Sequence, residues 1–188
     1  MRTFLGFVTL ALLPGFAQAE GFDYTYVEVG YISADFDTAG INVDGDGFGI
    51  NGSFAITDTY HLFAEYSSLG FDFSIDLNQL AVGGGMHFGL SPTIDFVGTL
   101  AYLDAEVDSP VGSVSEDGFG IGIGVRGALN SSFEWEAGID YADVGGSDTS
   151  FGLDGRYYFT DTVAAGAGIS FDDDVTVYAV GIRVEFGK

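Results

Sequence analysis

Apolar side chains alternate with small or polar ones, with a period of two, along nearly the whole chain. In residues 119–126, for example, Phe, Ile, Ile and Val alternate with Gly, Gly, Gly and Arg. A period of two places all the apolar side chains of a segment on one face of a β-strand. Ten such segments follow one another, so the pattern predicts an all-β, antiparallel up-and-down barrel. Ten strands are favoured, and eight is the alternative if an early hairpin is a bent extension of its neighbour.

Two segments fit the alternation less well. The first strand, about residues 24–32, alternates unevenly, and residues 94–107 carry apolar side chains on both faces, so their inward face is left unassigned.

The connections between the predicted strands differ in length. Turn residues predict short connections at one end of the barrel and longer, acid-rich ones at the other, the plan of a transmembrane barrel. The short ones lie near 57–59, 89–92, 130–131 and 160–161, and the long ones near 33–46, 68–76, 105–117, 143–149 and 172–174.

The first nineteen residues differ from the rest. Arg2 precedes an apolar run that ends in Ala17-Gln18-Ala19, the small-residue pattern of a signal peptidase site. The run is too short for a spanning helix, and its flanks are those of a secretory signal peptide. The sequence therefore predicts a signal peptide at 1–19 and one barrel domain at 20–188.

The predicted exported domain is strongly acidic. It keeps four basic residues against 28 acidic ones, a formal net charge of −24. Such a surface repels phosphate backbones, so nucleic acid is excluded as a partner. The chain has no cysteine, so disulfides cannot stabilise the fold.

Two features favour lipid over water as the neighbour of the apolar face. The opposite face is rich in Gly, Ala and Ser and holds three arginines, which suits the inside of a narrow barrel rather than a solvated surface. A soluble lipocalin-like barrel or a sandwich remains the alternative. The apolar face also carries aromatics at both ends of the strands, as at membrane interfaces. These are Tyr31, Phe48, Tyr60, Tyr66, Phe88, Phe119, Phe133, Tyr141, Phe151, Phe159, Phe171 and Phe186.

With its segments YTYVEVGY (24–31) and DGDGFGINGSFAITD (44–58) and its aromatic last strand, the chain resembles the small outer-membrane β-barrel proteins of Gram-negative bacteria, the OmpA-like and OmpX-like group. The resemblance covers residues 20–188. It implies contact with outer-membrane lipid and lipopolysaccharide, and insertion by the barrel assembly machinery through the last strand. Here Phe186 stands two residues before the end of the chain rather than at it.

His61 and His87 are both predicted to face the lumen beside short turns, at the periplasmic end. Enzymes on similar barrels need their histidines near the long loops or facing lipid, so no catalytic residue is predicted. His61, His87 and Glu65 do not provide a third well-placed ligand, and no metal site or cofactor is predicted. Glu65 is expected about 13 Å from His61 along the strand, too far for direct contact.

Charged residues on the inward face are predicted to pair, because an unpaired charge in a narrow lumen is costly. The interpretation is a salt-bridge network that fills the lumen, and the alternative is a narrow cation-preferring channel. The predicted members are Glu28, Glu65, Arg126, Glu134, Glu136, Asp140, Asp154, Arg156, Arg183 and Glu185.

The acidic segments at 44–47, 116–118 and 172–174 lack the spacing of an EF-hand. They are interpreted as a hydrophilic cell-surface rim, with loose divalent-cation binding as the alternative. The sequence thus predicts a non-enzymatic outer-membrane protein with a structural or surface-interaction role. A passive channel is the alternative, and an outer-membrane enzyme is a weaker one.

Overall fold

Residues 22–38 and 41–187 are described by a computed structural model of the chain. Each of its ten antiparallel strands pairs with its neighbours in sequence, and the first strand pairs with the last to close the barrel. The predicted fold class and the strand count of ten are confirmed. The strands are β1 Tyr26–Thr38, β2 Ile41–Ala55, β3 Tyr60–Phe71, β4 Ile75–Ser91, β5 Ile94–Ser109, β6 Gly112–Asn130, β7 Phe133–Asp143, β8 Ser147–Tyr158, β9 Val163–Phe171 and β10 Val175–Glu185.

The predicted signal peptide, residues 1–19, lies outside the described residues. Among the residues that are described, no helix is long and apolar enough to cross a membrane. The first strand begins at Tyr26 rather than near residue 24. Both described chain ends lie at the same end of the barrel, which we call the terminal end; we call the opposite end the projecting end.

The apolar face of the strands points outward over the middle of the barrel. Ile50, Leu62, Ile123 and Val180 are all exposed on the outer wall. Strand β5, whose inward face could not be assigned from the sequence, also turns apolar side chains outward here, as at Leu100. The outer wall is therefore a continuous apolar belt.

Toward the projecting end the alternation inverts. In β1, Tyr31 is exposed on the outer wall, whereas the next apolar residues, Ile32 and Ala34, are fully buried inside and Asp35 is exposed. β5 behaves in the same way, since Tyr102 is outside and Leu103 is buried inside. This inversion explains why residues 94–107 show apolar side chains on both faces. It is the pattern expected where the surroundings of the outer wall change from lipid to water.

The prediction of long connections at the projecting end is wrong. The described connections at both ends comprise two to four residues, because the strands continue through the acid-rich segments. Residues 44–47 belong to β2 and 116–118 to β6, and only 172–174 form a turn. The cause is the inverted alternation, since carboxylates on the water-facing side and apolar residues on the inner side still make an amphipathic strand.

Strands β1–β6 rise above the rest of the barrel as one continuous sheet, which we call the projecting sheet. β6 first pairs with β7 at Phe119 and Asp143, so residues 112–118 pair only with β5. These seven residues extend about 23 Å along the strand beyond Phe119, which belongs to the band of outward aromatic residues at this end of the apolar belt, at ~3.3 Å per residue. The other side of the sheet is covered, because β1 pairs with β10 as far as Phe36 and Val175. Among the described strands, the projecting sheet thus has one long free edge, on β6.

Candidate functional site: the lumen and the projecting edge

Three arginines lie inside the barrel, fully or almost fully buried: Arg126 on β6, Arg156 on β8 and Arg183 on β10. Arg126 donates from Nε to Glu134 Oε2 at 2.9 Å, and its Nη2 also contacts Glu134. The same guanidinium lies 3.5 Å from Glu136 Oε1 and 3.6 Å from Glu185 Oε1. One cation on β6 therefore serves carboxylates from both β7 and β10.

The other two arginines extend this arrangement across the lumen. Arg156 donates from Nη2 to Glu136 Oε2 at 2.9 Å, and its Nε lies 3.7 Å from Glu28 Oε2. Arg183 donates from Nε to the same Glu28 oxygen at 2.6 Å. These three arginines and Glu28, Glu134, Glu136 and Glu185 form one connected set, which we call the charge network. It joins β1, β6, β7, β8 and β10 through the interior.

Three predicted members lie outside the charge network. Glu65, Asp140 and Asp154 form no ion pair within the described part of the chain. A cavity of about 20 Å³ lies beside Asp154, Glu28 and Arg156, which is room for about one water. The roles of all ten residues stay predictions.

Buried apolar side chains fill the lumen toward the projecting end, and they were not predicted from the sequence. Ile32, Leu69, Leu77 and Val177 are buried against one another from four strands, with Ala34 and Val175 completing this outer cluster. A second group holds Leu103, Ala105, Ala142 and Val144. The signal was present in the sequence as the inverted alternation, which turns these residues inward.

Residues 22–25 precede β1 and fold into the lumen at the terminal end, and we call them the strap. The side chains of Phe22 and Tyr24 are buried with Val97. This segment could not be recognised from the sequence, because Phe22 and Tyr24 alternate with polar residues in the same way as the start of a strand.

The two histidines lie at the terminal end of the lumen, on the lumen side of the strap. The Tyr24 ring stacks on His87 with centroids 4.5 Å apart and lies 5.8 Å from His61. The imidazoles themselves are 5.7 Å apart. Gly85, the cross-strand neighbour of His61 on β4, leaves room for the imidazole, because a Cβ there would lie 2.2 Å from His61 Cε1. In the described residues, no group of three or more His, Asp or Glu could hold a metal ion.

The twelve aromatics named from the sequence all lie on the outer wall. Eleven are exposed, and Phe133 is half-buried. Neighbouring strands bring them together, as in Phe48 and Tyr66, whose ring centroids are 6.2 Å apart. Other aromatics outside this list also face outward on the strands, namely Phe54, Phe96, Tyr102, Trp135, Tyr157 and Tyr178. Phe96 and Tyr102 were missed because the inward face of β5 was unassigned. Their interfacial role stays a prediction.

Carboxylates crowd the rim beside the turn at 172–174. Burial raises the pKa of Asp148, and the carboxylates of Asp172, Asp174 and Asp173 raise it further. A carboxyl whose pKa is raised by folding destabilises the folded state once the pH exceeds its unfolded value.

We therefore expect Asp148→Asn to raise the urea midpoint of unfolding slightly at pH 7, because it removes this repulsion. The gain should disappear as the pH falls below the ordinary aspartate range, where both states are protonated. Asp58→Asn, at the terminal end and remote from this cluster, is the matched control. An equal gain at pH 3 would contradict the electrostatic explanation.

Comparison with known proteins gives structural matches alone. No protein-family model and no curated protein sequence matches the chain. An outer membrane channel from Pseudomonas putida F1 aligns with a TM-score of 0.53 and 8% identity, over 86% of this chain and 95% of that chain. Ail, the attachment invasion locus protein of Yersinia pestis, aligns with a TM-score of 0.44 and 17% identity, over 86% and 97%. Neisserial surface protein A gives 0.43 and 17%, over 86% and 96%.

At these identities the matches bear on the fold alone. The match to the Pseudomonas putida channel agrees with the closed barrel of this chain. The strands themselves show an apolar outer belt with aromatic side chains at both of its ends. An apolar wall of this kind is stable in lipid, where only a closed sheet satisfies every backbone hydrogen bond. The chain has the fold of the small outer-membrane β-barrel proteins.

Proposed function

We propose that this protein is a non-enzymatic surface protein of the outer membrane that binds another polypeptide at the free edge of its projecting sheet. The observation that carries the proposal is the pairing of β6, whose residues 112–118 have a partner strand on the β5 side alone. A free edge presents unpaired backbone N–H and C=O groups to an incoming strand. Binding at this edge would require the projecting sheet to lie outside the cell, with the terminal end facing the periplasm.

The two faces of the projecting sheet define the chemistry of the partner. Beside the edge, the outer face carries Asp104, Glu106 and Asp117. The inner face carries Val107 and Val114 toward the hairpin tip, and Glu116 nearer the membrane, where its carboxylate lies against Gly145 of the β7–β8 turn. An added strand would place alternate side chains on these two faces. The partner strand should therefore alternate basic and aliphatic residues. Strongly exposed Phe73 and Val111, at 88% and 97%, provide further apolar contacts at the hairpin tips.

We expect a short peptide that alternates lysine and valine to bind the refolded barrel, and the same peptide N-methylated at alternate residues to bind much more weakly. Asp117→Lys should weaken binding about tenfold, because it places a like charge beside the peptide. Asp35→Lys, on the same face but at the covered edge, is the matched control. Isothermal titration calorimetry measures each affinity. Equal binding of the N-methylated peptide would refute strand addition.

The alternative, a narrow cation-preferring channel, is less well supported. The charge network spans the middle of the lumen, the outer cluster closes it above, and the strap closes it below. Refolded protein in a planar bilayer is therefore expected to give no stepwise current in KCl. Reproducible cation-selective steps would favour the channel instead.

The remaining partners follow from the outer wall and the last strand. The apolar belt would contact lipid and the lipid part of lipopolysaccharide. Carboxylates on the outer face of the projecting sheet, such as Asp35, Asp46 and Asp76, would approach lipopolysaccharide phosphates only through divalent cations. Insertion by the barrel assembly machinery would use β10, which is followed by Phe186.

A further inference from the structure

We propose that the strap is a releasable seal: it closes the terminal end of the lumen, and its release opens a vestibule lined by His61, His87, Asp95 and Arg126. The proposal does not depend on binding at the projecting edge. It rests on the contacts that hold Phe22, Asp23 and Tyr24, because these are mostly side-chain contacts rather than the backbone ladder that holds each strand.

The strap is buried without being part of the sheet. Phe22 and Asp23 are about nine-tenths buried and Tyr24 is almost completely so, yet residues 22–25 belong to no strand. A segment held by a sheet leaves only when its ladder breaks. Thr25 still continues the β1–β10 ladder, because its backbone oxygen accepts a hydrogen bond from Phe186 N at 2.8 Å. Residues 22–24 are held largely by side chains, and their release would leave all ten strands paired.

Arg126 is the main anchor of the strap. Its guanidinium lies 4.8 Å from the centroid of the Phe22 ring and 5.4 Å from that of Tyr24. Its Nη1 also donates to the backbone oxygen of Asp23 at 3.3 Å. The arginine is held in turn by Glu134 and Glu136, so the strap rests on the charge network.

Other contacts fix the two ends of the strap. Asp23 Oδ2 accepts a hydrogen bond from the Gly187 backbone at 2.6 Å, which ties the strap to the chain just beyond β10. Tyr24 donates its hydroxyl to Asp95 Oδ2 at a long 3.4 Å and stacks on His87. The strap thus covers residues of β3, β4, β5 and β6 while bridging both chain ends.

Val97 lies on the lumen side of the strap, so its accessibility can be used to measure whether the strap is in place. It is 1% exposed and packs directly against Phe22 and Tyr24. Leu69, in the outer cluster, is equally buried at 0% but lies at the other end of the lumen. The chain has no cysteine of its own, so Val97→Cys and Leu69→Cys each introduce a single thiol.

The experiment measures the rate at which a small charged methanethiosulfonate labels each thiol in the full-length, refolded barrel. With an intact strap, both thiols should react slowly. In the double variant Phe22→Ser and Tyr24→Ser, labelling at position 97 should become at least about tenfold faster, whereas labelling at position 69 should not change. Electrophoresis without heating verifies that the barrel is folded.

A folded double variant with unchanged labelling at position 97 would overturn the proposal, as would equal acceleration at both positions. If the double variant does not fold, Asp23→Ala removes only the acceptor for Gly187 and Thr25, and it should still accelerate labelling at position 97. Tyr24→Phe keeps the ring stack and should label like the intact strap. Bilayer recordings remain silent either way, because the outer cluster still closes the lumen.

Discussion

Arg126→Ala is expected to destabilise the barrel more than any other single truncation in the lumen, by about 3–5 kcal/mol. The arginine is the shared partner of Glu134, Glu136 and Glu185 and the anchor of the strap. Its removal leaves carboxylates buried with too little positive charge, which costs far more than the loss of the contacts alone. Urea unfolding of the refolded barrel in lipid vesicles, followed by tryptophan fluorescence and gel mobility, measures the change.

The matched variants separate charge from packing. Arg183→Ala should cost less, because its partner Glu28 keeps Arg156 nearby. The double variant Arg126→Ala with Glu134→Gln should recover part of the loss, since it removes one of the uncompensated carboxylates. Unchanged unfolding in both alanine variants would show that these charges do not stabilise the barrel.

Ile123→Arg is expected to destabilise the membrane-inserted barrel by about 2–4 kcal/mol. Ile123 is exposed on the outer wall and pairs with Ile139, in the middle of the apolar belt. A guanidinium at this depth must leave water or distort the bilayer around it. The same unfolding measurement applies, and failure to insert into vesicles would be its extreme form.

Ser115→Arg is the control. Ser115 lies on the same strand and the same outward face, but beyond Phe119 and the band of aromatic residues at the edge of the apolar belt. There the surroundings are water, and the neighbouring carboxylates Asp104 and Glu106 favour a cation. We expect no loss of stability at this position. A loss equal to that of Ile123→Arg would mean that the boundary between lipid and water lies elsewhere.

The barrel class and the outward face could be predicted because lipid imposes one simple rule on every strand. The side chains of Phe48, Ile50, Phe54 and Ile56 obey it, interrupted only by Gly52. The strand count followed from the same rule, since each series ends at turn residues.

The closed lumen could be predicted only in part. The arginines and glutamates share the inward face, but their pairing depends on how the barrel closes: Glu28 and Arg183 are 155 residues apart and meet because β1 pairs with β10. The outer cluster was missed because a single rule was applied along each strand. Ile32 and Leu69 follow the opposite rule, above the membrane, and the exchange of Asp35 and Ile32 between faces marks the boundary.

The strap could not have been predicted from periodicity. Phe22 and Tyr24 are two residues apart, like neighbours on a strand, and nothing local distinguishes them from the start of β1. Their positions are set by Arg126, about a hundred residues later in the chain, and by the histidines of β3 and β4. Such packing arises only in the closed barrel.

The unequal height of the barrel wall gives this molecule a front and a back within the plane of the membrane. Strands β1–β6 form a tall screen, and the low arc of β7–β9 leaves the β6 edge open on one side only. In the strand addition that we propose, a partner that lies flat on the membrane would therefore reach the edge from the low side, while the screen would block approach from the other. In a crowded envelope, rotation of the barrel about the membrane normal would then decide which neighbours it can bind.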